Sequence, residues 1–350
     1  MTFRNKRRWQ IIRGYWIGWI LAVLFLSIVR GVGTTEEGYV EIEFVTTLFF
    51  ALPFGIIFGS ISGFAQILVE ERIYKRISIQ KLLGLRIVYA FLFLLVTVSI
   101  SYLIVGKWYL GLNIGLMDFA FDEGSLAIYF YLIAVDFFMA FISQVSLMLG
   151  PNTLLNLVRG KYYVPREEER IFMFLDLQSS TEHAERLGHI KYSKMIQECF
   201  NDLGVVVENE AEIYQYVGDE VVLTWKVEDG LRNQNCLNAY NSFSAQLRKR
   251  EAYYQQTYNC SPFFKAGMNA GIVTVTEVGR YKKEIAYHGD AINTAARIQG
   301  LCNEYDEALL ISEKLVSTLN TENYSFARLG SILLRGKKEE VQVYAASHTS

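Results

Sequence analysis

Two aspartates occupy places where the chain turns. Asp176 closes an apolar run of strand length, residues 171–175. The polar turn Gln178, Ser179, Ser180 and Thr181 follows and opens a helical stretch. A helix start offers unpaired backbone N–H groups and the positive end of a dipole, which suit a phosphate. Asp219 follows Gly218 at the tip of a hairpin between two alternating segments, 212–217 and 221–225. In a β-α-β-β unit the ends of the first and third strands can be neighbours, so both carboxylates could grip one pair of Mg²⁺ ions. Two such metals clamp the attacking and leaving oxygens of a displacement at phosphorus. Either aspartate alone reads equally as an ordinary surface turn. Farther on, Asn293 and Arg297 lie one turn apart and share a helix face, with small Ala295 and Ala296 on the other side. An arginine with an asparagine one turn away can hold a phosphoryl oxygen and a sugar together. In isolation the pattern is also that of a solvated helix face.

The elements that must carry these residues are legible in outline. Ser179 and Glu182 have capping-box spacing, and a helix should follow through about residue 203. A long helix is expected over 233–254, strands over 263–268 and 272–275, and a helix from Asp290 to about Cys302. Strands near 326–334 and 341–345 close the chain. The order β-α-β-β-α-β is that of a ferredoxin-like unit with additions, an α+β fold.

Before residue 150 the composition changes. The chain has 350 residues, 51% of them hydrophobic, and a mean hydropathy of +0.18. Four apolar stretches, 15–29, 44–69, 87–106 and 126–149, approach or reach the roughly 20 residues needed to cross a bilayer. Trp16 and Trp19 read as interface anchors of the first. Arg4, Lys6, Arg7, Arg8 and Arg13 precede the first span, and Arg72, Lys75, Arg76, Lys81 and Arg86 separate the second from the third. The other two loops are acidic, with Glu36, Glu37, Glu41 and Glu43, then Asp118, Asp122 and Glu123. Basic loops stay inside, so the N-terminus and everything after the fourth span are expected in the cytoplasm, with a multi-pass anchor in the cell (inner) membrane. Ala51, Gly55, Gly59 and Gly63 form a small-residue ridge that suits close helix packing, within one subunit or across a dimer. Asp136 falls near mid-membrane, where a carboxyl needs a partner that the sequence does not name. The expected organisation is a four-helix transmembrane domain over 1–150, a linker over 151–169 and a soluble domain over 170–346. With 34 Lys and Arg against 36 Asp and Glu, the net charge of −2 argues against nucleic acid as a partner. The four cysteines are isolated, which excludes a disulfide framework or a structural zinc knuckle.

Taken in order, the soluble motifs resemble those of the class III nucleotidyl cyclases. The resemblance rests on Phe174-Leu175-Asp176 with Ser180 and Thr181, on Tyr216-Val217-Gly218-Asp219, on the run from Lys265 to Gly271, and on the run from His288 to Arg297. It covers essentially the whole soluble half. It implies a ferredoxin-like catalytic domain that works as a homodimer, with sites at the dimer interface. The reaction implied converts a nucleoside triphosphate, ATP foremost, to a 3′,5′-cyclic monophosphate and pyrophosphate. The resemblance makes Asp176 and Asp219 the ligands of two Mg²⁺ or Mn²⁺ ions, with Leu177 in the same metal set. It makes Asn293 the ribose-orienting residue and Arg297 the transition-state cation. Lys265 and Lys337 would contact the phosphates, with residues 178–181 beside them. Two positions depart from the family pattern. Gln215 stands where adenylate-specific members usually have Lys, and Ala286 where they have Asp or Thr. Gln can donate and accept, so it could read either purine. A guanylate or dual-specificity cyclase, or an inactive cyclase-like dimerisation module, are the alternatives to an adenylate cyclase.

Overall fold

The computed structural model describes residues 3–31, 44–73, 79–122, 125–150, 153–320, 323–333 and 340–349. The chain forms two compact units, Met1–Met148 and Leu149–Ser350.

The first unit contains α1 (Phe3–Gly31), α2 (Phe44–Leu68), α3 (Ile79–Ser101), the short α4 (Leu116–Ala120) and α5 (Ser125–Leu149). Among the described residues, four stretches are long and apolar enough to cross a membrane: Arg7–Val29, Thr47–Glu71, Gly84–Tyr109 and Ser125–Leu149. The first, short in the sequence reading, is extended at its start because the basic segment continues the helix. Arg7 and Arg8 there pair with Glu70 and Glu71 beyond the end of α2. The small-residue ridge is occupied by α1 of the same chain. A Cβ on Gly55 would stand 2.7 Å from the Ile20 Cα, and one on Gly59 2.9 Å from the Trp16 Cα. The ridge therefore serves packing within the subunit. Trp19 also differs from its expected role as an interface anchor. Trp19 is fully buried and its indole N–H donates to Ser62, while Trp16 donates to Ser60. Asp136 is buried too, and accepts from the Ser62 hydroxyl at 2.6 Å and from Tyr89 at 3.4 Å. Those donors meet the requirement that a polar group inside a bundle be paired.

The second unit opens with α6 (Thr153–Val158) and then β1 (Arg166–Leu177). The charged run 166–169, expected in the linker, is thus already strand, continuous with Arg170. Arg170 is 2% exposed yet satisfied by Glu168 and Glu212, and it lies over the Tyr287 ring at 5.1 Å. A charge can enter a sheet when it is paired in this way. Next come α7 (Ser180–Leu187) and α8 (His189–Leu203), expected as one helix but broken at Gly188, whose φ of +72° leaves the helical region. The capping box does not form: Ser179 is left-handed at φ +56° and its side chain makes no cap bond. The hairpin β2 (Glu212–Val217) and β3 (Glu220–Lys226) turns at Gly218 as expected. Helices α9 (Val227–Leu231), α10 (Asn235–Lys249) and α11 (Glu251–Tyr258) follow. The two strands expected between 263 and 275 are one long strand, β4 (Phe264–Val278). It is followed by β5 (Glu284–His288), α12 (Asp290–Gly300), β6 (Leu309–Ser312), α13 (Glu313–Val316), β7 (Tyr324–Ile332) and β8 (Val341–His348).

The sheet runs β2-β3-β1-β4-β6-β8-β7, with β5 also paired to β4. Strand alternation sends Met173, Leu175 and Leu223 to one face, where they pack with Leu203 of α8 and Phe243 of α10. Phe172, Phe174 and Val222 go to the other face, against Ala291 and Ala295 of α12. The α+β fold is therefore a ferredoxin-like core, β1 to β4 with α8 and α10 behind it, extended by the β5 to β8 additions.

Candidate active site

The first strand ends where the hairpin turns. β1 and β3 are antiparallel neighbours, with Leu175 opposite Val221. Continuing that register by two residues brings Asp219 level with Leu177, one residue past Asp176. The two carboxylates are close enough for each to feel the other. Burial, and then the Asp219 charge, hold the Asp176 carboxyl above the usual carboxylate range. The Leu177 N–H and the Gln299 side chain donate to Asp176 and offset part of that shift. Glu220 is raised as well, by burial first and then by both aspartates. Tyr192 of α8 is pushed up to about 12 by burial and by Asp219.

One oxygen of this group lacks a partner. Asp219 Oδ2 is buried and, among the described residues, accepts no hydrogen bond. An unpaired buried carboxylate oxygen is costly unless a cation answers it. Among the described residues no group of three or more His, Cys, Asp or Glu is placed to hold a metal. The donor set is thus two hard carboxylates, which suits Mg²⁺ or Mn²⁺, ions that keep several waters and take the rest of their shell from substrate phosphates.

The turn after β1 starts α7. The Gln178 N–H is used by the Phe263 carbonyl at 2.9 Å. The first turn from Ser180 starts three residues after β1 ends and leaves N–H groups without intrahelical partners, with the Ser180 side chain beside Tyr192. Lys265 faces Asp176 across the β1–β4 pair. Its side chain is 6% exposed, and Nζ contacts the Cys302 carbonyl and the exposed Asp306 carboxylate, each at 3.3 Å.

Helix α12 rests on β4 through missing side chains. A Cβ on Gly267 would stand 2.1 Å from the Gln299 backbone nitrogen, and one on Gly271 2.8 Å from the Ala291 Cβ. Between these two glycines, Asn269 donates to the Ala291 carbonyl at 2.9 Å and accepts from Ser312 at 2.7 Å. Ala291, Thr294, Ala295 and Ile298 are buried against the sheet. At 100° per residue, Asn293 and Arg297 then lie on the opposite side of α12. Asn293 is exposed and Arg297 half-buried. Among the described residues neither makes a hydrogen bond or ion pair within the chain.

Gln215 is exposed on β2, just after an irregularity in the pairing with β3. Ala286 sits on β5 opposite Thr276. Their neighbours Tyr214 and Tyr287 meet edge to face at 4.9 Å, so β2 and β5 converge at this point. Lys337 lies outside the described residues. Gln299, Tyr192 and Glu220 join the site without having been marked by any sequence motif.

Residues 162–347, more than half the chain, match the adenylate and guanylate cyclase catalytic domain. The chain belongs to that family. It is 30% identical over 221 residues to adenylate cyclase 2 of Rhizobium meliloti (strain 1021), covering 63% of this chain and 61% of that protein. It is 26% identical over 181 residues to an adenylate cyclase of Anabaena cylindrica, covering 49% of this chain and 35% of that one. The chain thus spans less than two thirds of the length of either relative. In fold it is similar to a bacterial light-regulated adenylyl cyclase, with a TM-score of 0.56 at 17% identity over 65% of this chain and 67% of that one.

Proposed function

We propose that the protein is a membrane-bound adenylate cyclase that converts ATP to 3′,5′-cyclic AMP and pyrophosphate. The observation that carries this is the juxtaposed pair Asp176 and Asp219, with a buried, unpaired oxygen beside a helix start. Two divalent cations held there, Mg²⁺ or Mn²⁺, would make the 3′-hydroxyl more acidic and neutralise the leaving pyrophosphate. Asp176 and Asp219 hold the cations, with Leu177 at the same strand end. The helix start at 178–181 binds phosphate oxygens through its N–H groups. Lys265 exchanges Asp306 for a pyrophosphate oxygen, and Lys337 binds the triphosphate. Asn293 orients the ribose, and Arg297 faces the charge that develops at the α-phosphate. Gln215 and Ala286 flank the base.

The reading includes a homodimer. Asn293 and Arg297 point away from the sheet that carries the aspartates, so a second copy supplies them to each carboxylate pair. A two-fold contact is self-complementary, which gives two such sites. The same reading sets the four apolar helices in the cell (inner) membrane, with the N-terminus and the catalytic unit in the cytoplasm.

The test is mixing. Full-length Asp176→Ala and the double variant Asn293→Ala with Arg297→Ala should each be inactive. Co-expressed with different tags, they form mixed dimers with one intact site each. Random assortment makes half the dimers mixed, so cyclic AMP formation should recover to roughly a quarter of the parent rate. Isolated mixed dimers without activity would show that the residues act within one chain. Mass spectrometry of the product formed from ATP and from GTP decides between adenylate and guanylate cyclisation.

A further inference from the structure

The membrane unit holds a partly open cavity of about 200 Å³ lined by its four long helices. One wall is a column of rings one turn apart on α2. Phe50, Phe54 and Phe58 have centroids 5.9 and 5.3 Å apart, and Tyr109 stands edge-on to Phe50 at 5.2 Å. All three phenylalanines are less than a tenth exposed. A wall of rings favours a flat aromatic guest, which gains offset or edge contacts beyond its buried area.

The lining also carries buried Ser27 of α1 and Thr97 of α3, with Thr47, Ser101, Asp122, Ser125 and Tyr129 as its other polar members. Ser27 Oγ donates to the Val23 carbonyl and Thr97 Oγ1 to the Phe93 carbonyl, each at 2.9 Å. With their protons so committed, the two hydroxyls keep lone pairs that can only accept. The cavity therefore asks for a donor. Size narrows the guest further. An apolar cavity of roughly 150 Å³ takes benzene, so this volume suits a single ring with a short substituent.

We propose that this cavity is a binding site for a small aromatic amphiphile, one ring bearing a single O–H or N–H donor. The ring stacks among Phe50, Phe54 and Phe58, and the donor bonds to Thr97 or Ser27. Occupation reaches the rest of the bundle through Phe58, which touches Trp19 at 5.5 Å. Trp19 in turn donates to Ser62, which donates to Asp136.

The probe is 4-fluorophenol, followed by fluorine NMR with the full-length protein in lipid nanodiscs. Empty nanodiscs measure partition into lipid. Saturable binding beyond partition is expected. Val98→Phe, at the cavity wall, should abolish it, with helicity and gel-filtration profile as the check on folding. Thr97→Val keeps the shape and removes the acceptor. It should weaken 4-fluorophenol roughly five- to tenfold while leaving fluorobenzene, which has no donor, unchanged. Signals equal to those of empty nanodiscs would overturn the proposal. So would undiminished binding to a folded Val98→Phe protein, or equal weakening of both probes by Thr97→Val. Native mass spectrometry showing one phospholipid retained per chain and not displaced by 4-fluorophenol would also overturn it.

Discussion

Replacing Gly267 by alanine tests how α12 is positioned. The new Cβ would meet the Gln299 nitrogen at 2.1 Å and its Cα at 2.4 Å. Ordinary contact begins near 3.4 Å, and the obstacle is backbone, which cannot rotate aside. The end of α12 must therefore lift from β4 by about 1.3 Å, the difference between those distances. Overpacking of this kind costs about 1–3 kcal/mol. The larger effect is on geometry, because the same helix carries Asn293 and Arg297, and its Gln299 donates to Asp176. A misplacement of about 1 Å at catalytic groups can lower the rate about 10²-fold. The assay is the initial rate of cyclic AMP formation by full-length protein in nanodiscs, with the melting temperature measured in parallel. Gly300→Ala, on the same helix but with nothing within 4 Å of the added Cβ, is the control and should match the parent. A folded Gly267→Ala protein working within twofold of the parent would refute the reasoning.

Three further outcomes are expected. The Asp176 carboxyl is raised in the folded protein, so the stability it contributes is present below the ordinary carboxylate range and lost as pH rises through the raised value. Without divalent cations the parent should thus lose more melting temperature between acid and neutral pH than Asp176→Asn, and Mg²⁺ should restore the parent alone at neutral pH; identical profiles would refute this. Arg170→Met removes the partner of Glu212, while Glu168 keeps Lys161, and since Glu212 is 44% exposed the cost should be about 2 kcal/mol, below that of a fully buried pair, seen as a lowered urea midpoint. Gln215→Lys with Ala286→Asp should sharpen a modest preference for ATP over GTP in kcat/KM, and a parent that already rejects GTP by roughly 10⁴-fold would contradict the weak base contact on which this rests.

The parts of the fold that the sequence revealed are those where local rules suffice. The hairpin at Gly218 needed a positive φ and two alternating flanks, and both are visible in the residues. The parts that it hid depend on tertiary contact. β6 is four residues long, and β5, Glu284–His288, lacks a clean alternation. Arg170 marks only the start of the soluble domain until Glu212, 42 residues away, is known to answer it. The small-residue ridge in α2 announced a close approach without naming the partner, because glycines mark a groove and not what fills it. At the site, Asp176, Asp219, Asn293 and Arg297 were singled out by residue type at strand ends and on a helix face. Gln299 and Tyr192 were not, since a Gln near a helix end and a Tyr in an amphipathic helix are ordinary until the strand they touch is in place.

The seat of α12 on β4 separates two kinds of information within one stretch of chain. Gly267, Asn269 and Gly271 set how near the helix comes, and they do so whether or not anything is catalysed. Asp176 and Asp219 bring two carboxylates together, a cost that the proposed cation site would offset. On that proposal, a descendant of this domain without cyclase activity would be expected to lose the carboxylates and keep the glycines, since the architecture would still have to close. Scored separately across related sequences, the glycine seat would report a surviving fold and the carboxylates a surviving enzyme. Chains that keep the first without the second would be candidates for partners that complete a neighbour's site without owning one.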